Sequence, residues 1–333
     1  MLSLKIESPS DADQRIDKFI KKYLPDAPLG GIYKWLRTGK IKVNQRKVDQ
    51  VYRIIAWDQI DIYLRDNEIL WFQKKEATFL KWTQRSSLDT KIVPSILYED
   101  DFFLVINKNP RLNVHPGDHK TKEVSLIEMV QDYLSGRYNT LSFRPALVHR
   151  IDRDTSGAII IAKDKSTLES LLILLQSWKI EKIYHTLVVG KPPKARDSIR
   201  AKLLRIENAQ NEAKVRIDNA GQEAVTHYRT INTNIRDKYS LLEVSLETWR
   251  MHQIRVHMAS IGCPILWDKA YGNKWENSFA RREYSIERQM LHAERLRFIH
   301  PKTKKPVEII APYHGDMTNL IFSEKENIVN SVA

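Results

Sequence analysis

Apolar residues recur at helical spacing near the start of the chain and at strand spacing after about residue 94. In 15–23 (RIDKFIKKY), Ile16, Phe19 and Ile20 share one helical face, with Lys18, Lys21 and Lys22 off it. A loop with Pro25, Pro28 and Gly30-Gly31 leads to a second predicted helix at about 32–38 (IYKWLRT), which Gly39 is placed to cap. KIKVNQRKV (40–48) reads as strand, tight turn, strand, and IDIYL near residue 60 as another strand. Beyond Pro94, FFLVINK (102–108), GAIIIAKD (157–164), EKIYHTLVV (181–189), SIRAKLL (198–204), THYRTI (226–231) and SLLEVSLET (240–248) all read as strands. KSTLESLLILLQSWK (165–179) reads as an amphipathic helix with Leu168, Leu171, Leu172, Leu175 and Trp178 on one face. Many neighbouring strands with few helices predict an α+β fold with a mostly antiparallel mixed sheet.

The expected domain organisation is a small module at 1–66, a linker at 67–93, a large domain at 94–320 and a tail at 321–333. Trp71, Phe72, Phe79, Leu80 and Trp82 are too many aromatics for a free linker, so part of it should pack on a domain. Hydrophobic residues at 42% are enough for a core, whereas 54 Lys+Arg against 41 Asp+Glu give a formal charge of +13. That surplus favours a polyanion, nucleic acid before an anionic membrane. No apolar run approaches a membrane span and the N-terminus has no signal-peptide core, which predicts a soluble, cytoplasmic protein. The single Cys263 excludes an internal disulfide framework and a cysteine-based zinc site. Lys34, Arg37, Lys40, Lys42, Arg46 and Lys47 cluster on the second helix and the following hairpin. Each alone would be an ordinary solvated lysine or arginine; together they read as a footprint for RNA phosphates.

The stretch LVHRIDRDTSGAIIIAK (147–163) sets His149, Arg150, Asp152, Arg153 and Asp154 at the mouth of a buried strand. A turn with surface ion pairs accounts for it on charge pattern alone, since Asp-Thr-Ser-Gly is good turn material. A catalytic carboxylate kept ionised by neighbouring cations accounts for it too. His252 and His257 are five apart, a spacing that separates two side chains on a helix, so a metal site is disfavoured against core or RNA-contacting histidines. No GxGxxG or Walker-type phosphate loop occurs.

HRIDRDTSG closely resembles the HRLDxxTSG signature of the RluA/RluC-type RNA pseudouridine synthases, and further stretches resemble that family in order. These are LYEDDFFLVINK (97–108) with VHPG (114–117), EKIYHTLVVG (181–190), RMHQIRVHMASIGCPI (250–265) with DKAYG (268–272), and LHAERLRFIHP (291–301). Residues 13–64 resemble a ribosomal protein S-four-like (αL) RNA-binding domain. The resemblance implies a pseudouridine synthase fold, no cofactor, RNA as partner and no obligate protein partner. The implied reaction breaks the glycosidic bond at uracil nitrogen 1, turns the base and joins carbon 5 to the ribose. It also implies Asp152 as catalytic carboxylate, acting as nucleophile or as proton acceptor. Tyr184 would stack on the base or accept the proton leaving carbon 5, and Arg255 would pair with Asp152. Arg150 would contact RNA at the gap left by a flipped base, with His149, Arg250 and His252 completing the substrate-binding set.

Large-subunit (23S) rRNA is the favoured substrate, with tRNA as the alternative. The competing reading is an RNA-binding or ribosome-assembly factor that kept the fold without the chemistry. A hydrolase of free uridine compounds would explain neither the charge nor the N-terminal module. Three departures stand out. NKNPR (107–111) lacks the glycine of NKPxG, WRMH (249–252) replaces GRTH, and GCPILWD (262–268) replaces GHPILGD.

Overall fold

The computed structural model describes residues 1–73, 95–116, 124–134, 138–207 and 213–322. The chain divides into two compact units. One comprises Met1–Val93, Met129–Ala146 and Ala162–Leu168, the other Pro94–Glu128, Leu147–Ile161 and Glu169–Ala333.

The first unit contains β1 (Leu2–Lys5), α1 (Ile16–Tyr23), α2 (Leu29–Thr38), β2 (Ile41–Val43), β3 (Gln59–Ile62) and α3 (Asp66–Phe72). Its strands pair antiparallel in the order β1-β3-β2. Ile16, Phe19 and Ile20 from α1 and Ile32 and Leu36 from α2 share one core with Ile41, Val43, Ile60 and Ile62. Gly39 caps α2 in the left-handed conformation, as the sequence predicts.

The predicted hairpin forms its turn, with Asn44 and Gln45 both at positive φ. Its second arm, however, contributes only a bridge between Val43 and Arg46, and β2 pairs with β3 instead. The physical reason is that the arm after the turn, Arg46, Lys47 and Val48, carries a single apolar side chain, whereas β3 brings both Ile60 and Ile62 into the core beside Ile41 and Val43. The start of the expected linker is the helix α3, whose Phe72 ring lies 5.4 Å from Trp35. Phe79, Leu80 and Trp82 lie outside the described residues.

Residues Met129–Ala146, expected in the large domain, group with this unit. Buried Asp11 accepts hydrogen bonds there from Thr140 Oγ1 (2.8 Å), Leu141 N (3.0 Å) and Ser142 N (2.6 Å).

The remaining elements are β4 (Ser95–Glu99), β5 (Phe103–Lys108), α4 (Leu126–Tyr133), β6 (Ala146–Leu147), β7 (Ser156–Ala162), α5 (Lys165–Gln176), β8 (Ile180–Val189) and β9 (Arg196–Glu207). They continue with β10 (Ala213–Ile217), β11 (Gln222–Ile235), β12 (Tyr239–Leu246), α6 (Gln253–Ser260), α7 (Lys274–Tyr284), β13 (Leu291–Ile299), β14 (Pro306–Ile310) and α8 (Gly315–Ile321). An 11-stranded mixed sheet runs β10-β9-β11-β12-β8-β13-β7-β5-β4, with β14 beside β13 and β6 beside β7. The α+β fold class holds, and each strand predicted after residue 94 is present.

β13 pairs antiparallel with β8 and β14 but parallel with β7, where Gly157 faces Ala293. A Cβ on Gly157, whose φ is 113°, would come within 2.3 Å of the Ala293 carbonyl oxygen. The glycine of TSG therefore lets β7 approach β13 and brings the 152–155 turn beside the start of that strand.

Trp178 departs from its predicted place. The helix ends at Gln176, and Trp178 follows it at φ 60°, with 53% of its surface exposed. Gly117 of VHPG and tail residues 323–333 lie outside the described residues. Among the described residues no helix is long and apolar enough to cross a membrane.

Candidate active site

A cleft of about 860 Å³ in the second unit is lined by Asp152, Tyr184, Arg150, Arg250, His252 and Arg255, among others. It gathers residues 103 positions apart in sequence onto one carboxylate, since Arg255 Nη1 donates to Asp152 Oδ2 at 3.0 Å. Arg255 stands on α6, whose residues from Gln253 to Met258 are all buried. Its other nitrogens are committed elsewhere: Nε donates to Asp268 Oδ2 at 2.7 Å and Nη2 to Asp268 Oδ1 at 2.9 Å. Burial opposes the guanidinium's charge, but the hydrogen bonds and charge of Asp268, followed by those of Asp152, outweigh it and raise the pKa. Asp268 is fully buried and also accepts from the backbone N–H groups of Ala270 and Tyr271.

The DKAYG stretch is thus the clamp behind Arg255. A Cβ on Gly272 would meet the Asp268 carbonyl oxygen at 2.3 Å, so only glycine fits there. The Tyr271 ring lies 5.1 Å from the Arg255 guanidinium carbon, and its hydroxyl is 2.9 Å from His252 Nδ1.

Asp152 occupies the turn before β7, where Thr155 N–H donates to its carbonyl. Gln289 Nε2 donates to Thr155 Oγ1 at 2.7 Å and lies 3.4 Å from Asp152 Oδ2. Buried Lys108 fixes the turn from below, donating to the carbonyls of Asn109, Leu112 and Arg153 at 2.8, 3.0 and 2.8 Å. Every contact to the carboxylate falls on Oδ2; Oδ1 accepts no hydrogen bond from the described residues, and a third of the side chain is exposed to the cleft.

Tyr184 extends from β8 into the same cleft, and burial, then the charge of Asp152, pushes its phenol up. The ring is neutral at neutral pH, which suits stacking and hydrogen-bond donation over proton abstraction. His252 sits at φ 53° with Nε2 3.9 Å from Asp152 Oδ2, and burial lowers its pKa. Arg150 and Arg250 are exposed on the cleft wall.

His149 is not brought to the site. It does not line the cleft; it is buried, and its Nε2 accepts from Ile160 N–H at 3.2 Å. Neighbouring positions in an extended segment face opposite ways, so Arg150 points to the cleft and His149 to the core. His257 and His292 are likewise core residues, bonded to Thr226 and Ser156, and burial lowers each to about 4.

Sequence reasoning missed Asp268, Gln289, Thr155 and Lys108. The signal for Asp268 was the DKAYG stretch itself, and Lys108 stood inside FFLVINK. Gln289 carried no signal, being positioned by buried Arg288, which donates to its carbonyl and forks onto Asp316 at 2.6 and 2.8 Å.

Two of the three departures from the family pattern lie at positive φ, Arg111 at 64° and Trp267 at 60°. A non-glycine side chain has taken over a left-handed position in each. The third, Trp249, lines the cleft.

A first unit with an unpaired basic face is the other sequence-predicted site. Lys34, Arg37, Lys40, Arg46 and Lys47 are exposed, and Lys42 is half-buried with Nζ 5.3 Å from the Tyr63 ring centre. Among the described residues none of the six is in an ion pair, while nearby Arg15, Arg53 and Arg65 each have an acidic partner. Lys34 and Arg37 line a hollow of about 400 Å³ with Tyr33 and Gln50.

One cleft thus brings together a carboxylate clamped through one oxygen, a buried tyrosine and exposed arginines. The family described as RNA pseudouridylate synthase matches residues 102–260. A ribosomal large subunit pseudouridine synthase C of Buchnera aphidicola subsp. Baizongia pistaciae (strain Bp) is 36% identical over 306 residues, 90% of each chain. The protein of that name from Escherichia coli (strain K12) is 31% identical over 93% of this chain and 95% of its own. The solved structure titled Human RNA Pseudouridylate Synthase Domain Containing 1 shares the fold, with a TM-score of 0.54 at 22% identity over 72% of this chain and 94% of its own. The chain belongs to the RNA pseudouridylate synthase family, enzymes that isomerise uridine within RNA.

Proposed function

We propose that the chain converts selected uridines of large-subunit ribosomal RNA to pseudouridine, with Asp152 as the catalytic carboxylate. The observation that carries this reading is the Asp152–Arg255–Asp268 array, in which Asp152 and Arg255 line the cleft and Asp268 is buried behind them. Arg255 holds Oδ2, which leaves Oδ1 to act on the ribose or base of a flipped uridine. The glycosidic bond at nitrogen 1 opens, the uracil turns within the cleft, and carbon 5 bonds to the ribose. The hydrogen on carbon 5 leaves as a proton and nitrogen 1, freed from the sugar, takes one up, so the product is an isomer of the substrate and no co-reactant is consumed. Tyr184 stacks on the base, and Arg150 holds the RNA from which it was taken. The large-subunit substrate is supported by the names of the relatives above and by the formal charge of +13. Phosphates of the same RNA lie on the basic face of the first unit, from Lys34 to Lys47.

The test is incubation of the full chain with 23S rRNA and tRNA transcripts, followed by chemical detection of pseudouridine. Asp152→Asn should lower the single-turnover rate on the order of 10³-fold or more while RNA binding persists. Product on tRNA alone would move the substrate. Normal turnover by the Asn variant would remove Asp152 from the chemistry. Bound RNA with no product on either substrate would favour the assembly-factor reading.

A further inference from the structure

Two helices of this chain end in the same backbone motif, and they fill its left-handed position differently. After α2 the position is Gly39, with Gly39 N–H to Leu36 and Lys40 N–H to Trp35. After α5 it is Trp178, with Trp178 N–H to Leu175 at 3.2 Å and Lys179 N–H to Leu174 at 2.8 Å. Glycine is the residue this position favours, and a bulky side chain there is strained. The turn therefore does not explain the tryptophan, and neither does the core, because 53% of Trp178 is exposed.

Its surroundings give it an orientation. The Trp178 ring lies 4.8 Å from the ring of Trp249, tilted by 55°. Trp249 lines the active-site cleft and stands where the resembled motif has glycine. The buried Lys182 side chain, its amine lowered to about 7 by desolvation, lies 3.7 Å from the Trp249 ring centre and holds the indole by packing. The pair thus forms an aromatic step running from the cleft wall outward. Met251, 39% exposed, lies two positions along the chain from Trp249 in that lining. Arg150, Arg205 and Arg250 line the same cleft. Exposed aromatic surface among arginines fits the flat face of an unpaired nucleobase whose phosphates meet the cations.

We propose that Trp178, braced by Trp249, stacks on an RNA base flanking the target uridine and so helps decide which uridines the enzyme accepts. This rests on the isomerase reading above. When the uridine leaves its stack a neighbour loses a partner face, and the indole replaces it. Trp178 is a specificity-determining residue, with no part in bond-breaking.

The experiment compares the wild-type chain with Trp178→Ala, Trp178→Gly and Trp178→Phe on an rRNA fragment around a position the wild type modifies. The same fragment is also made with abasic ribose on the 5′ or the 3′ side of that uridine. Trp178→Ala and Trp178→Gly should raise KM about 5- to 100-fold with kcat kept, and Trp178→Phe should restore most of it. The difference between wild type and Trp178→Ala should vanish on one of the two abasic fragments. Trp178→Gly should keep its thermal midpoint, because glycine suits the left-handed turn. Equal KM values, or a loss of the same size on both abasic fragments, would overturn the proposal. If the wild type forms no pseudouridine anywhere, the isomerase reading has failed. The step is then decided by binding alone: a single-stranded oligonucleotide carrying 2-aminopurine should be quenched by wild type and not by Trp178→Ala, and equal quenching by both overturns it.

Discussion

Arg255 of the second unit and the basic cluster from Lys34 to Lys47 of the first stand in opposite surroundings. In the second, Arg255 has exchanged its hydration for two carboxylates, and both its side chain and that of Asp268 are almost out of solvent, at 10% and 0% exposed. In the first, the group from Lys34 to Lys47 keeps its water and, among the described residues, no acidic partner. A buried ion cluster adds little net stability over an apolar equivalent, but removing one member leaves the others uncompensated. An exposed cation contributes little to folding and acts through its field on a polyanion. Under the proposed function, position reads as division of labour: geometry for chemistry where charge is buried, grip on RNA where it is free.

The largest test breaks the buried cluster. Arg255→Ala should abolish measurable turnover and cost about 3–5 kcal/mol of stability, read by denaturant unfolding. Should that variant fail to fold, Arg255→Lys keeps the charge but loses the fork, and a single ammonium cannot serve Asp268 through two bonds while holding Asp152. It should fold and lose on the order of 10²-fold in rate. Asp268→Asn should likewise lower kcat more than it changes KM, because Asp268 acts on substrate only through Arg255. Full activity in the Arg255→Lys variant would mean that the fork is structural.

That cluster also shows what a sequence can and cannot convey. Asp152, Tyr184 and Arg255 stand in recognisable motifs, and the strands read as short apolar runs, buried along their whole length in β5 and β7, so the α+β sheet was legible. Asp268 was visible only as part of DKAYG, because its role depends on a turn that returns to Arg255. Gln289 acts through Arg288 and Asp316, a chain of contacts with no local pattern. His149 was misplaced because sequence adjacency to Arg150 says nothing about which side of an extended segment each side chain faces. The second hairpin arm failed similarly: the turn residues were right, but the choice of strand partner is made by apolar residues 60 and 62, far along the chain.

The exposed face is the next comparison, and salt is its probe. Replacing Lys34, Arg37, Lys40 and Arg46 together by alanine should leave unfolding unchanged and reduce the slope of log affinity against log salt by about 0.7–0.9 for each phosphate no longer neutralised. Arg255→Lys should leave that slope alone. An unchanged slope in the fourfold variant would mean that RNA does not touch this face.

pH probes the buried side in turn. Burial would raise the Asp316 carboxyl, but the Arg288 hydrogen bonds and charge overcome it and hold the pKa below 3.8. The folded chain then binds fewer protons than the unfolded chain near and below that value, so the stabilisation is complete above it and lost as pH falls. Asp316→Asn should flatten this acid limb by an amount on the order of 1 kcal/mol and shift Gln289. If the acid limb of the variant matches wild type, Asp316 is not among the groups that set it.

The smallest effect concerns a departure that the buried side tolerates. Arg111 sits at φ 64° in NKNPR, beside Lys108 in sequence but outside the cleft lining, and its guanidinium reaches Glu287 at 2.7 Å on the surface. Glycine at 111 would relieve the left-handed strain, lose an exposed ion pair of little worth, and gain unfolded-state entropy that offsets part of the relief. The expected result for Arg111→Gly is a gain of up to about 1 kcal/mol by denaturant unfolding, with kcat and KM unchanged. A substantial loss of turnover would show that the 108–112 turn sets the position of Asp152 through Lys108, and would move this departure from the backbone to the chemistry.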